Sequence, residues 1–299
     1  MAWAELSDVR CYYELVGEGD PLLFIPGLGG TCRVWDPVVP ALAEHFTCIL
    51  PDNRGLGRSV GRRKPKTLAD YSSDLAELLD YLQLDKAHVL GLSLGGIIAQ
   101  RFALDHPSRV DRLVLVSCAD RFTAYLHRIT ALLGHSLRRF PRAMFVQTME
   151  ILTTAPFYLD TNVAEIDRQA QERVQAGVPA RAMGTQLRAL LRSEVDPADY
   201  KILNPTLVVA GEHDHLIPNC YARRMAAKIA DSQFVLIPGA GHNPMVEKPD
   251  EVLPIISRFL RGQDVPEATE VTAECAEDLL DRTPGAEALA HAAPGGRRS

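Results

Sequence analysis

The sequence predicts an α/β protein: a mostly parallel central sheet flanked by helices, with one helical insertion. Two observations carry this. Short apolar runs without polar alternation recur at 22–25, 46–50, 87–92, 113–118, 206–210 and 234–237, the pattern of strands covered on both faces. Segments of helical periodicity separate them, as a βα succession demands. Between 120 and 199 the succession stops. Helix-like stretches occupy 126–137, 144–152 and 163–174, and no strand is predicted.

The first element, 9–16, is a strand (VRCYYELV) closed by the turn Gly17-Glu18-Gly19-Asp20. A helical pattern covers 34–44. Residues 67–82 set Leu68, Tyr71, Leu75, Leu78, Leu79 and Leu82 at helical spacing. A helix rich in small and apolar residues follows at 94–104, and helices at 218–229 and 249–260 accompany the last strands. The expected organisation is a core of 1–120 and 201–262, a helical lid of 121–200, and an acidic tail of 263–299.

That tail holds eight acidic residues against three Arg, a net of −5 out of −6 for the whole chain. Rich in Ala, Glu, Pro and Gly, it is expected to be disordered. The remainder is nearly neutral, so no cluster of Lys and Arg is left to displace nucleic-acid counterions, and no nucleic-acid partner is expected. No apolar stretch approaches the roughly 18 residues of a membrane span, and the N-terminus lacks the basic and apolar runs of a signal peptide. Cys11, Cys32, Cys48, Cys118, Cys220 and Cys275 form no C-x-x-C pair and are expected as reduced thiols. A cytoplasmic protein without membrane association is expected; no signal bears on its oligomeric state.

The chemistry concentrates at strand ends. Gly91-Leu92-Ser93-Leu94-Gly95 stands between a predicted strand and a predicted helix. A tight strand-to-helix turn needs glycines where backbone passes close, and it projects the Ser93 hydroxyl beside a helix N-terminus. A serine nucleophile needs a base, and the base an orienting acid. His242 follows the strand at 234–237, and Asp214 follows the strand at 206–210 in Gly211-Glu212-His213-Asp214. Glu212 and Asp120 are rival acids, and Asp120, at the end of the strand 113–118, is the stronger rival. Pro26-Gly27-Leu28-Gly29-Gly30 follows another strand and can turn amides toward the serine. The N–H groups of Leu28 and Leu94 are the expected oxyanion donors. His213 and His215 lack a third ligand at metal spacing, and neither metal nor cofactor is expected.

In this order the motifs resemble the α/β-hydrolase superfamily over nearly all of 9–262. Beyond those named, Asp52-Asn53-Arg54-Gly55-Leu56-Gly57-Arg58-Ser59 resembles the family's D-x-R-G-x-G-x-S turn. The whole is most similar to small esterases and enol-lactonases of the 3-oxoadipate enol-lactonase type, notably at Arg33-Val34-Trp35-Asp36-Pro37. Methylesterases that tailor polyketides share the layout. Pro26 departs from the His that many members carry before the first loop glycine. A serine nucleophile disfavours the epoxide hydrolases and haloalkane dehalogenases, which use aspartate.

The resemblance implies a serine hydrolase acting on a small, partly apolar ester or lactone. A carbon–carbon bond hydrolase, a cofactor-free perhydrolase and a non-hydrolytic ligand-binding or cyclase-like protein are the alternatives. Asp52, Arg54 and Ser59 are expected to be structural, and Arg58, Arg62, Arg63, Lys64 and Lys66 a solvated loop. In the lid, Tyr125, Met144, Phe145, Met149, Phe157 and Tyr158 suit either a pocket wall or helix packing. Arg138, Arg139 and Arg142 suit either an acidic substrate or a solvated helix end.

Overall fold

The computed structural model describes residues 2–177, 179–193 and 200–265. From residue 266 the tail expected to be disordered lies outside the described residues, as does 194–199 at the end of the expected lid. The strands are β1 (Ala2–Glu5), β2 (Val9–Val16), β3 (Asp20–Ile25), β4 (Phe46–Pro51), β5 (Val60–Gly61), β6 (Ala87–Leu92), β7 (Val110–Val116), β8 (Thr206–Gly211) and β9 (Ser232–Ile237). Across the sheet they run β1-β2-β4-β3-β6-β7-β8-β9, with β5 on β2. From β4 to β9 all neighbours are parallel, while β1, β2 and β5 form an antiparallel edge.

This order creates one switch point. After β3 the chain steps outward to β4, then returns to lay β6 on the other side of β3. Loops leaving β3 and β6 therefore diverge and open a crevice at the carboxyl edge, where open α/β sheets place their sites.

Helices cover both faces. On one lie α2 (Leu68–Tyr81), α3 (Leu94–Asp105) and α9 (Asn219–Ala226), whose Leu75, Phe102 and Met225 join a core with Leu23, Val89 and Val208. On the other lie α1 (Val39–Leu42) and α11 (Pro249–Leu260), packing Leu42, Ile256 and Phe259 against Phe24, Leu90 and Val209. The interior strands are fully covered, which is why their sequences show unbroken apolar runs. The α2 N-terminus is fixed by Asp70, whose carboxylate accepts from the Lys66 and Thr67 amides at 2.8 and 3.0 Å.

Between β7 and β8 run α4 (Ala124–Arg139), α5 (Arg142–Thr153), α6 (Pro156–Thr161), α7 (Val163–Ala176) and α8 (Ala180–Leu190), with no strand among the described residues of this segment. A short α10 (Pro244–Glu247) precedes α11. The expected helix at 34–44 is corrected: a single 3₁₀ turn (Cys32–Trp35) and the four-residue α1 stand in its place. Pro37 and Pro40 supply no N–H and cannot continue a helix begun before them.

The loop after β4 is a buried scaffold. Asp52 accepts from the amides of Cys32 at 2.7 Å and Arg58 at 2.8 Å. The Ser59 hydroxyl donates to the Asp52 carbonyl at 2.7 Å and accepts from Tyr12 N at 2.9 Å. Arg54 grips Asp74 with two parallel hydrogen bonds, Nε to Oδ2 at 2.6 Å and Nη2 to Oδ1. Both side chains of this pair are nearly inaccessible, and removing one partner strands a buried charge. Asp74→Ala is therefore expected to lower stability by about 3 kcal/mol, read as a reduced urea midpoint at unchanged m-value.

Candidate active site

Ser93 is the single residue between β6 and α3. Its backbone is held at φ 57°, ψ −122°, a left-handed conformation that costs an L-residue about 1–3 kcal/mol. The surroundings impose it. A β-carbon at Gly95 would overlap the Ile25 carbonyl oxygen, and one at Gly91 would overlap the Gly95 carbonyl. Glycine at both positions lets α3 begin hard against β3 and β6. Ser93 N donates to the Val116 carbonyl at 2.9 Å, fixing the turn to β7 as well.

The loop 26–30 passes beside this turn: a β-carbon at Gly27 would lie 3.4 Å from Ser93 Cβ and 4.0 Å from its Oγ. Gly30 N closes the loop onto the Gly27 carbonyl at 3.1 Å. Among the described residues, neither the Leu28 nor the Leu94 amide donates to another protein group. Leu94 N is one of the free donors of the first α3 turn, where the helix dipole also favours negative charge. The Pro26 carbonyl accepts from Asn53 Nδ2 at 3.4 Å.

Asp214 and His242 meet directly, with His242 Nδ1 2.7 Å from Asp214 Oδ2. The Asp214 side chain is fully buried, and its Oδ1 accepts from the amides of Leu216 at 3.0 Å and Ile217 at 2.8 Å. A carboxylate accepts from a ring N–H, an arrangement that puts the donor at Nδ1 and leaves Nε2 as the acceptor. The His242 amide donates to the Thr153 carbonyl at 2.9 Å. Ser93 and His242 both line one cavity of about 280 Å³. Among the described residues, Ser93 Oγ makes no hydrogen bond; nucleophile–base contacts are often loose without substrate and tighten when it binds.

The rival acid Asp120 is engaged elsewhere. Arg224 Nη2 reaches it at 2.7 Å and Lys228 Nζ at 2.5 Å. Burial pushes its carboxyl up, but the hydrogen bonds from Lys228 and Arg224 outweigh this and hold it below the usual range. Glu212, the other rival, accepts from Gly239 N at 2.9 Å and lies 3.7 Å from His213. The His215 carbonyl accepts from the Tyr125 hydroxyl at 2.8 Å.

Of the six lid side chains singled out in the sequence, only Met149 lines the cavity. Phe145 is buried in packing, while Tyr125, Met144 and Phe157 are exposed and Tyr158 is half-buried. Arg138, Arg139 and Arg142 point to solvent. The wall is instead aliphatic: Leu126, Ile129 and Leu133 from α4, Leu187 and Leu190 from α8, and Ile97 from α3. Spacing at i, i+3 and i+7 along α4 was the available signal.

Two further residues escaped sequence reasoning. Glu247 on α10 accepts from Gly241 N at 2.8 Å and Ala155 N at 3.1 Å, tying the His242 loop to the helical segment. Burial pushes its carboxyl up despite these amides. Gln186 on α8 is 1 % exposed, and its Oε1 accepts from Gly29 N at 2.9 Å, next to Leu28. Neither belongs to a motif, and each acts across the fold.

A family model described as alpha/beta hydrolase fold matches residues 20–249. The chain belongs to the α/β-hydrolase fold family. Its sequence is 29 % identical over 257 residues to a protein of Caulobacter sp. strain K31 named "Putative carbamate hydrolase RutD", covering 84 % of this chain and 96 % of that one. A thermophilic esterase from Thermogutta terrifontis superposes with TM-score 0.76 at 26 % identity, covering 88 % of this chain and 99 % of the other. An enol-lactonase from Burkholderia xenovorans LB400 shares the fold at TM-score 0.78 and 22 % identity, covering 87 % and 100 %.

The separation of the two aspartates yields a pH-dependent expectation. The folded-state pKa of Asp120 is depressed, so its stabilisation is present above the unfolded value and lost as pH falls through the folded one. Asp120→Asn should lower stability by roughly 3 kcal/mol at neutral pH. In a urea series against wild type that difference stays constant down to about pH 5 and shrinks below about pH 4.

Proposed function

We propose that this protein is a serine hydrolase that cleaves a carboxylic ester or lactone of a small, partly apolar substrate through an acyl-enzyme on Ser93. The observation that carries this reading is the Asp214–His242 hydrogen bond, 2.7 Å long, made by a histidine that lines the same cavity as Ser93. His242 Nε2 takes the Ser93 proton as Oγ bonds to the substrate carbonyl carbon. The Leu28 and Leu94 amides hold the resulting oxyanion, and Asp214 stabilises the imidazolium. The intermediate collapses as the C–O bond to the alcohol breaks, with His242 returning the proton to the leaving oxygen. Water then attacks the acyl carbon, His242 again taking and returning one proton, and the acid leaves with Ser93 restored. Every group needed comes from the chain, so the reaction requires no cofactor.

The helical segment α4–α8 acts in this reading as a lid that sets substrate choice. Its Leu126, Ile129, Leu133 and Leu187 favour an acyl or alkoxy group with apolar surface. Cys11, Cys32, Cys48 and Cys118 are free thiols, all of them buried. Burial pushes the thiols of Cys11, Cys32 and Cys48 up to about 12, which suits inert thiols in a reducing cytoplasm. Among the described residues no helix is long and apolar enough to cross a membrane.

A fluorophosphonate probe should label the folded protein on Ser93; absence of that adduct sinks the serine-hydrolase reading. Ser93→Ala is expected to cut turnover of p-nitrophenyl esters by at least about 10⁴-fold, and Asp214→Asn by roughly as much because it imposes the wrong tautomer. Asp120→Asn should leave turnover within about threefold, since its carboxylate is engaged by Arg224 and Lys228 while Asp214 holds the imidazole. A panel of short esters, lactones, carbamates and vinylogous diketones, with a peroxide arm, ranks substrate classes. Highest kcat/KM is expected on an ester or lactone, and preference for diketones or for perhydrolysis would move the assignment to those chemistries.

A further inference from the structure

A second cleft, of about 670 Å³, lies between the loop 61–65 and the start of α8. It shares no lining residue with the Ser93 cavity. The two use opposite faces of α8, Arg181, Ala182 and Thr185 facing this cleft while Leu187 and Leu190 face the other.

The wall is one-signed. Arg54, Arg62, Arg63, Lys64 and Arg181 line it, and no carboxylate does. The nearby acids stand behind the cations. Asp74 pairs with Arg54, Glu5 with Arg62, and Asp8 and Asp70 with Arg63. Among the described residues Lys64 and Arg181 take part in no ion pair, so two positive charges face the cleft without compensation. The floor holds unused donors as well. Arg54 is 4 % exposed, and its Nη1 has no hydrogen-bond partner. Tyr71 is 2 % exposed, and among the described residues its hydroxyl also lacks one. An unpaired buried donor costs stability wherever nothing accepts from it. At the cleft's edge α8 begins at Ala180, adding free first-turn amides and the positive end of an eleven-residue helix dipole.

We propose that this cleft binds an organic phosphate, its phosphoryl group seated between Lys64, Arg181 and the first amides of α8. Point charges, guanidinium forks and helix-end amides converging from several sides match a group with three or more acceptor oxygens better than a flat carboxylate. The volume leaves room for an organic part of nucleotide size. The Tyr71 hydroxyl offers that part a hydrogen-bond donor at the floor. The site is independent of the hydrolytic reading, and either can fail while the other stands.

The test is titration calorimetry of the full chain with inorganic pyrophosphate and with adenosine diphosphate, against KCl at matched ionic strength. Saturable one-to-one binding of a phosphate probe is expected, weakened at least about tenfold by Lys64→Ala and by Arg181→Ala, with partial recovery in Arg181→Lys. Arg138→Ala, on an exposed helix end, should leave affinity unchanged, and melting temperatures report whether each variant is folded. No saturable heat at millimolar probe overturns the proposal. So does an affinity that Lys64→Ala and Arg181→Ala leave intact, or one that Arg138→Ala lowers equally.

Discussion

The close approach of α3 to the ends of β3 and β6 governs the rest of the molecule. With no β-carbons at Gly91 and Gly95, the helix starts one residue after the strand, and that residue is forced into a left-handed backbone. The same approach brings the loop after β3 alongside, so that Gly27 nearly touches Ser93. In the proposed reaction the amides of Leu28 and Leu94, one from the loop and one from the helix start, serve the same oxyanion. A longer turn would relieve the backbone but disperse this convergence, because each added residue widens the set of geometries available to the hydroxyl.

Three buried carboxylates near the carboxyl edge are given different work by their neighbours. Asp214 meets two amides and an imidazole, so its carboxylate is directed at the ring. Asp120, a few residues beyond β7, meets two fixed cations, and its charge is spent locally. Glu247 takes backbone amides from two loops and acts as a strut. Residue type is shared; environment divides the roles.

What the sequence conveyed well was whatever depends on local backbone chemistry. The glycines around Ser93 and the apolar runs of β6 and β8 each follow from neighbours along the chain. Less was visible where the deciding partner is distant. Asp120 and Asp214 both follow strands, and what separates them is the hold of Arg224 and Lys228, more than a hundred residues from Asp120, and the contact of Asp214 with His242. Gln186 reaches Gly29 across 157 residues. β1 went unnoticed because a four-residue edge strand has no burial pattern of its own. The helices between β7 and β8 were illegible in another way. Large aromatic and thioether side chains drew attention as pocket formers, yet most face solvent or packing, and common leucines and isoleucines build the wall. Composition says which side chains can line a cavity, and helix phase decides which do.

The strained backbone at residue 93 carries a consequence for how the protein can change. Glycine is the residue that this conformation suits best, since it alone visits such angles without a β-carbon penalty. It is also a residue with no hydroxyl. Selection for a sturdier fold and selection for reactivity therefore push position 93 in opposite directions. Lineages that relinquish the chemistry while keeping the fold would be expected to drift toward glycine there, and in the proposed reading a serine is held at this cost for what its hydroxyl does.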